Sequence, residues 1–516
     1  MAKNLKKPGV YIEEVNAFPG SVVEVATAIP AFIGHTQNAT RNGQSLANTP
    51  VRITSFKEFV ELFGNGNDPK FNLDFDATES KDSVQIDGKE VGISYVRNHK
   101  LFFYNAIQLF YANGGGTCYI VSVGTFDEDG EVELRKVDFE SGLKTLEKEQ
   151  EPTMVLVPDA VNLSMESCYA IYQLTIAHCA KMQNRVAILD VYDGYKERIE
   201  VDVIKQFRDE IGTENLSYSA AYHPWLETNI VQNGELTFKN LDNSVDLNSV
   251  LPEEAAKQIL ADFPKDDKGF KKVFEVENPD LEEDKVQALL SEYIRNKERD
   301  FHLGLVATSP TYVSILNEIK SVINLLPPAA AMAGIYTAVD NNRGVWKAPA
   351  NVSVNSVIKP AVNITHDEQE NLNVDALSGK SVNAIRTFPG VGTLVWGGRT
   401  LDGNSLDWRY INVRRTMIML EQSIKLALRA YVFEPNDANT WVTVKSMIIN
   451  FLTQKWKQGA LAGSSPEDAC DVQIGLGNTM TAVDILEGKM LVSIKLAIVR
   501  PAEFIVVTFE QQMQKS

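Results

Sequence analysis

The sequence predicts a multidomain chain that combines an α/β and an α+β domain, and three observations carry that expectation. At 516 residues the chain exceeds what one compact core accommodates, so two to four domains of ~100–200 residues each are expected. Between Met154 and Ala221 short apolar runs alternate with helical stretches, the pattern of a parallel sheet covered by helices. From Val391 onward the order strand, helix, helix, strand follows without that alternation. Hydrophobic residues make up 44% and charged residues 23%, ordinary values for a folded globular chain.

Taken in order, Val10–Val25 reads as extended chain, with β-formers on either side of a Phe18-Pro19-Gly20 turn and nothing adjacent to pair with. Such a strand needs a sheet edge from elsewhere in the fold or from another chain. Thr54–Phe63 predicts a short helix with Ser55 near its cap and Gly64 as its stop. Asn65–Arg97 is polar and turn-rich and is expected to be a surface excursion. Leu101–Ala112 predicts an amphipathic helix closed by Asn113-Gly114-Gly115-Gly116, with a strand at Thr117–Val123. Phosphate-cradling glycine loops run from strand to helix, and here the order is reversed.

Met154–Pro158, Arg185–Asp190 and Leu216–Ala221 are expected strands, with helices near Met165–Met182 and Val201–Ile211. Glu227–Asp300 is so rich in Asp, Glu and Lys that a solvated insertion is expected there. Pro327-Pro328 precede a small-residue helix, Ala329–Val339, whose alanine face permits close approach by a neighbour. Val391–Trp396, Arg414–Phe433, Trp441–Gln458 and Lys489–Ala497 read as strand, helix, helix and strand, and Ala502–Phe509 as a terminal strand apolar on both faces.

Charge and cysteine usage exclude several classes. Net charge is −18, which argues against a general nucleic-acid or anionic-membrane binder, since phosphate attraction needs a basic face. The acidity is uneven: Trp346–Ser516 holds 17 Lys and Arg against 16 Asp and Glu, and Met1–Val345 holds 33 against 52. The near-neutral part is expected to meet other chains. Cys118, Cys168, Cys179 and Cys470 show no metal-ligand spacing and read as reduced structural thiols. No secretory signal or membrane-spanning run is expected, so the chain is expected to fold in the cytoplasm and to undergo no membrane insertion.

Motifs for catalysis are incomplete. Gly379-Lys380-Ser381 has the ending of a P-loop, but position 374 is Val where the first glycine belongs. His35, His99, His178, His223, His302 and His366 are scattered, without the spacing of a zinc site, and no nucleophile elbow occurs. Neither catalysis, metal nor cofactor is expected.

Several words of the sequence carry more information. Asn341-Asn342-Arg343-Gly344-Val345-Trp346-Lys347-Ala348-Pro349-Ala350-Asn351, Arg386-Thr387-Phe388-Pro389-Gly390-Val391-Gly392 and Trp408-Arg409-Tyr410-Ile411-Asn412-Val413-Arg414-Arg415-Thr416 resemble the C-terminal domain of contractile tail sheath proteins. Pro8-Gly9-Val10-Tyr11-Ile12-Glu13-Glu14-Val15 and Arg500-Pro501-Ala502-Glu503-Phe504-Ile505-Val506-Val507-Thr508-Phe509 extend the resemblance to both ends, whereas residues 65–97 and 227–300 lie outside it.

The resemblance implies a structural subunit, copied many times in a helical sheath around an inner tube, that contracts to drive the tube through an envelope. It implies an inner α+β domain built from both chain ends with extended terminal arms, and an outer α/β domain with a parallel sheet and a charged insertion. The expected layout is 1–60 for the arm and the start of the inner domain, 61–100 for the excursion, 101–345 for the outer domain with its insertion at 227–300, and 346–516 for the inner domain. Expected partners are further copies of the chain, the tube protein, and baseplate and tail-terminator proteins. Type VI sheaths are similar but divide this architecture between two polypeptides, so one chain favours a phage tail or phage-like extracellular particle. Val10, Tyr11, Ile12, Val15, Val22, Val23 and Val25, with Phe504, Ile505, Val506, Val507 and Phe509, are the expected intersubunit strand arms. Lys445, Lys455 and Lys457 on the C-terminal helix are the expected contacts to an acidic tube.

Overall fold

A computed structural model describes residues 21–76, 82–199, 201–264, 267–277 and 283–507. The chain divides into two compact units. One comprises residues 1–27, 340–348 and 410–516, and the other residues 28–339 and 349–409.

The larger unit is built on a nine-stranded sheet, ordered Val352–Ser353, Gly392–Val395, Asn383–Phe388, Ser219–His223, Val186–Asp190, Met154–Leu156, Pro30–Thr36, Cys118–Thr125 and Val51–Ile53. From Asn383–Phe388 to Cys118–Thr125 every pairing is parallel, and the edge pairings are antiparallel. The expected α/β alternation is therefore present, with helices Phe103–Ala112, Lys136–Thr145 and Met165–Met182 packed against the strands. Every residue of Pro30–Thr36 is buried, the mark of a strand covered on both faces.

The helix Ala329–Arg343 packs closely, as its small residues suggest. A Cβ at Gly334 would lie 2.5 Å from the Phe110 carbonyl oxygen, so glycine lets the two backbones approach. Asp190, at the end of its strand, accepts a hydrogen bond from the Ala329 backbone N–H at 2.7 Å and so satisfies a first-turn donor of that helix.

Three expectations need correction. The layout 1–60 and 346–516 for one domain does not match the units: Pro30–Thr36 and Val51–Ile53, and likewise residues 349–409, belong with the parallel sheet. A strand buried along its whole length belongs in a sheet covered on both sides, which draws it away from the segment that precedes it. Residues 65–97 are more than an excursion, since Phe71–Asp74, Lys89–Tyr95 and Ser83–Ile86 form a three-stranded sheet. Nor is 227–300 merely solvated. Val231, Leu236, Leu241, Val250, Leu251 and Ala256 share one core with Phe71, Val91 and Ile93 and with Tyr312 and Ile315. Phe263 stacks on Phe301 with ring centroids 3.8 Å apart. Helix Glu254–Asp262 gives Ala256, Ile259 and Leu260 to that core and helix Glu283–Thr308 gives Phe301 and Leu305, so bulk charge hides a genuine core face.

In the smaller unit, helix Ile411–Leu428 is buried on most of its circumference and packs with helix Ala438–Lys457 and with Val345, Leu461, Val472 and Ile474. Strands Cys470–Gln473 and Ser493–Leu496 pair antiparallel as a sheet of only two strands among the described residues.

Candidate functional site

The described residues nearest the two chain ends, 21–27 and 501–507, belong to the smaller unit. Val10, Tyr11, Ile12, Val15 and Phe509 lie outside the described residues. What precedes Ala28 and follows Arg500 within them shows how each arm leaves its own fold.

The amino-terminal arm is rooted by side chains. Arg415 holds Asp340 through two bonds, Nη1 to Oδ1 at 2.9 Å and Nη2 to Oδ2 at 2.6 Å, and both side chains are almost fully buried. The same Nη2 reaches the Thr27 carbonyl at 2.9 Å, while the Thr27 hydroxyl donates to Asp340 Oδ2 at 2.6 Å. Further out, the Val25 N–H donates to Ser423 Oγ at 3.1 Å, and that hydroxyl spends its own proton on the Met419 carbonyl. Glu24 pairs with Lys455. Val22 and Val25 are half-buried against the unit's own core, and Val23 is 63% exposed.

The carboxy-terminal arm is held at Glu503, whose carboxylate accepts from the Tyr410 hydroxyl at 3.0 Å. No strand is formed over Pro501–Val507, and Phe504, Ile505, Val506 and Val507 are 71%, 80%, 88% and 65% exposed. Four consecutive apolar side chains standing in water mark an interaction surface.

The three lysines do not share a surface. Lys445 and Lys457 are exposed. Lys455 is buried, donating to Glu24 and to Gln458 Oε1 at 2.9 Å, with the Trp346 and Phe451 rings 5.7 and 5.8 Å from its ammonium. Its expected role as a tube contact is therefore corrected: burial of an ammonium demands an internal partner, and Glu24 supplies it. Gly344 adopts φ +87°, and a Cβ there would collide with the Trp346 ring, so the Gly344-Val345-Trp346 word serves to seat this tryptophan.

Sequence reasoning did not find the Glu24, Asp340 and Arg415 contacts. A signal was present, because Asp340 is the one acid in Ala329–Arg343 and Arg414-Arg415 opens a helix that is otherwise buried.

Perturbed ionisable groups elsewhere have structural causes. Burial raises Asp190 to about 7 and Asp159 to about 6, and each accepts a backbone N–H near the start of a helix, Ala329 for Asp190 and Phe102 for Asp159. Burial lowers His223 to about 3 and His178 to about 4, and also His35 to about 4 despite Asp138 nearby. Lys380, in the partial P-loop, is buried and donates to the Arg208 carbonyl, and the strand Asn383–Phe388 follows it where a phosphate loop has a helix. Among the described residues no helix is long and apolar enough to cross a membrane.

Comparison with known proteins agrees with this arrangement. Residues 280–401 match the phage tail sheath protein central domain and residues 404–512 the phage tail sheath C-terminal domain. The tail sheath protein of Vibrio phage KVP40 is 29% identical over 131 residues, which cover 25% of this chain and 19% of that protein. That of Salmonella phage ViI is 25% identical over 166 residues, 32% of this chain and 25% of that protein. These matches thus span about a fifth to a quarter of the phage proteins' length. Solved structures match nearly end to end. The sheath complex of PVC, an extracellular contractile injection system, in its contracted state is 26% identical, covers 99% of both chains and gives a TM-score of 0.59. The contracted helical sheath of the anti-feeding prophage is 27% identical, covers 98% of this chain and 100% of that chain, and gives 0.60. Two phage tail sheath domains thus lie between residues 280 and 512, and nearly the whole chain is similar to the sheaths of contractile injection systems.

Proposed function

We propose that this chain is the repeating subunit of a contractile sheath that polymerises helically around an inner tube and shortens to drive that tube through a target envelope. The observation that carries the reading is the whole-chain likeness, at 26–27% identity, to sheaths of contractile injection systems. Identity spread over a single chain of the same length supports a phage-like extracellular particle. The protein does mechanical work without turnover. Contacts that repeat without closing build the helix, and tighter packing after contraction supplies the driving free energy.

The smaller unit, built from both chain ends, is the inner domain in this reading, and the parallel-sheet unit is the outer one. The arms link neighbours by adding strands to their sheets. Phe504–Val507 supplies one strand, and the two-stranded sheet of Cys470–Gln473 and Ser493–Leu496 offers an open edge on the neighbouring copy. Lys445 and Lys457, both exposed, are the tube-facing charges. Baseplate and terminator proteins close the two ends of the sheath.

Negative-stain microscopy of the purified chain tests this directly. Tubes with helical striations are expected. Globular particles alone, at every concentration and salt, would refute a self-assembling sheath.

A further inference from the structure

The root of the amino-terminal arm runs antiparallel along helix Ile411–Leu428, with Thr27 at Arg415 and Val25 at Ser423, and ends on helix Ala438–Lys457 at Lys455. Within four residues, Glu24 to Thr27, it is bound by side chains from three helices, because Asp340 adds the end of Ala329–Arg343. Short-range packing alone would not require this. A segment that only covered apolar surface would be held by Val22 and Val25, yet two buried charges, Arg415 and Lys455, are committed to it.

We propose that Glu24 and Lys455, with Thr27 seated between Asp340 and Arg415, form an anchor that sets where the arm leaves the subunit and carries the load on the arm into the body of the domain. The inference rests on the strand-exchange reading above, in which the arm of each copy is held by a neighbour. An arm gripped at its far end transmits force only if its near end is fixed. Hydrogen bonds and ion pairs oriented across the chain resist sliding in a way that apolar contact does not. Lys455 is the outermost point of the anchor, and its ammonium is enclosed by Trp346 and Phe451, so losing Glu24 leaves a buried cation without its carboxylate. These are positioning residues, acting on the arm and through it on the neighbour.

The test uses the full chain with Glu24→Lys, with Lys455→Glu, and with both exchanged. Folding is followed by urea denaturation and assembly by tube length in negative stain. Each single variant is expected to fold and to give tubes shortened at least about tenfold, the consequence of losing ~1.4 kcal/mol at each link. The exchanged pair is expected to regain wild-type length, which a merely destabilised fold would not do. Single variants with wild-type tubes, or an exchanged pair as short as either single variant, overturn the anchor. If a single variant fails to fold, the neutral pair Glu24→Gln with Lys455→Met replaces it: short tubes support the anchor, and wild-type tubes overturn it. Deleting residues 1–20 separates the two ideas. Tubes lost on deletion but unchanged in the anchor variants would contradict only the anchor, whereas normal tubes after deletion would contradict strand exchange itself.

Discussion

Arg415 closes on Asp340 through two parallel bonds of 2.9 and 2.6 Å, and the residue they jointly hold is Thr27, at the root of an arm nearly four hundred residues away in sequence. The pair is buried, so its two members depend on each other. Replacing Arg415 with Met, or Asp340 with Asn, leaves the other partner uncompensated and is expected to destabilise the smaller unit by ~3–5 kcal/mol. The double replacement is expected to cost less than the sum of the two. Urea unfolding of the four proteins measures this, and additive losses would mean that the pair is not coupled.

Asp190 predicts a pH dependence of defined sign. Burial raises its carboxyl from 3.8 to about 7, so between these values the folded chain holds a proton that the unfolded chain has lost. Stability from this group therefore rises as pH falls through about 7, and the cost of burying its charge is fully present above that. Asp190→Asn keeps an oxygen to accept the Ala329 N–H and abolishes the titration. The variant should lose up to ~1.4 kcal/mol per pH unit of slope between pH 5 and 7 relative to the parent. His223, lowered to about 3, acts in the opposite sense in both proteins and cancels from the comparison. Parallel unfolding curves across this range would contradict the assignment.

The charged stretch 227–300 contributes to a shared core, so exchanging it for a short Gly/Ser linker is expected to yield insoluble protein. Phe71, Val91, Ile93, Tyr312 and Ile315 would lose their cover. Soluble expression with an unchanged circular dichroism spectrum in the remaining chain would contradict this.

Lys445→Glu with Lys457→Glu is expected to leave the fold intact and to reduce the fraction of tube-filled sheaths. Each exposed pair contributes only ~0–1 kcal/mol, so the effect accumulates through repetition along the particle. Undiminished filling would remove these two lysines from the tube interface.

Periodicity made much of the fold legible. Helix Ile411–Leu428, helix Ala438–Lys457 and strands Met154–Leu156 and Val186–Asp190 lie close to where their patterns place them. Strand Pro30–Thr36 was not legible as an interior strand of the sheet, because its partners at Cys118–Thr125 and Met154–Leu156 are distant in sequence and no local pattern names them. The core of 227–300 was hidden for a related reason: Phe263 and Phe301 stack only after two helices meet. Of the candidate site, the apolar run Phe504–Val507 was read as part of a terminal strand, and within its own subunit it forms none, since a strand needs a sheet edge to pair with. Lys455 was not, since density of lysine on a helix says nothing about which one turns inward. Its burial depends on Glu24, 431 residues away.

Strand exchange is tested most directly by removing the carboxy-terminal arm. The chain lacking residues 502–516 is to be purified and imaged beside the full chain by negative-stain electron microscopy. Phe504–Val507 makes no strand within its own subunit, so its removal should leave a folded, soluble monomer or small oligomer that forms no tubes. Helical sheaths of the truncated chain that still contract in one piece would contradict intersubunit pairing through this arm.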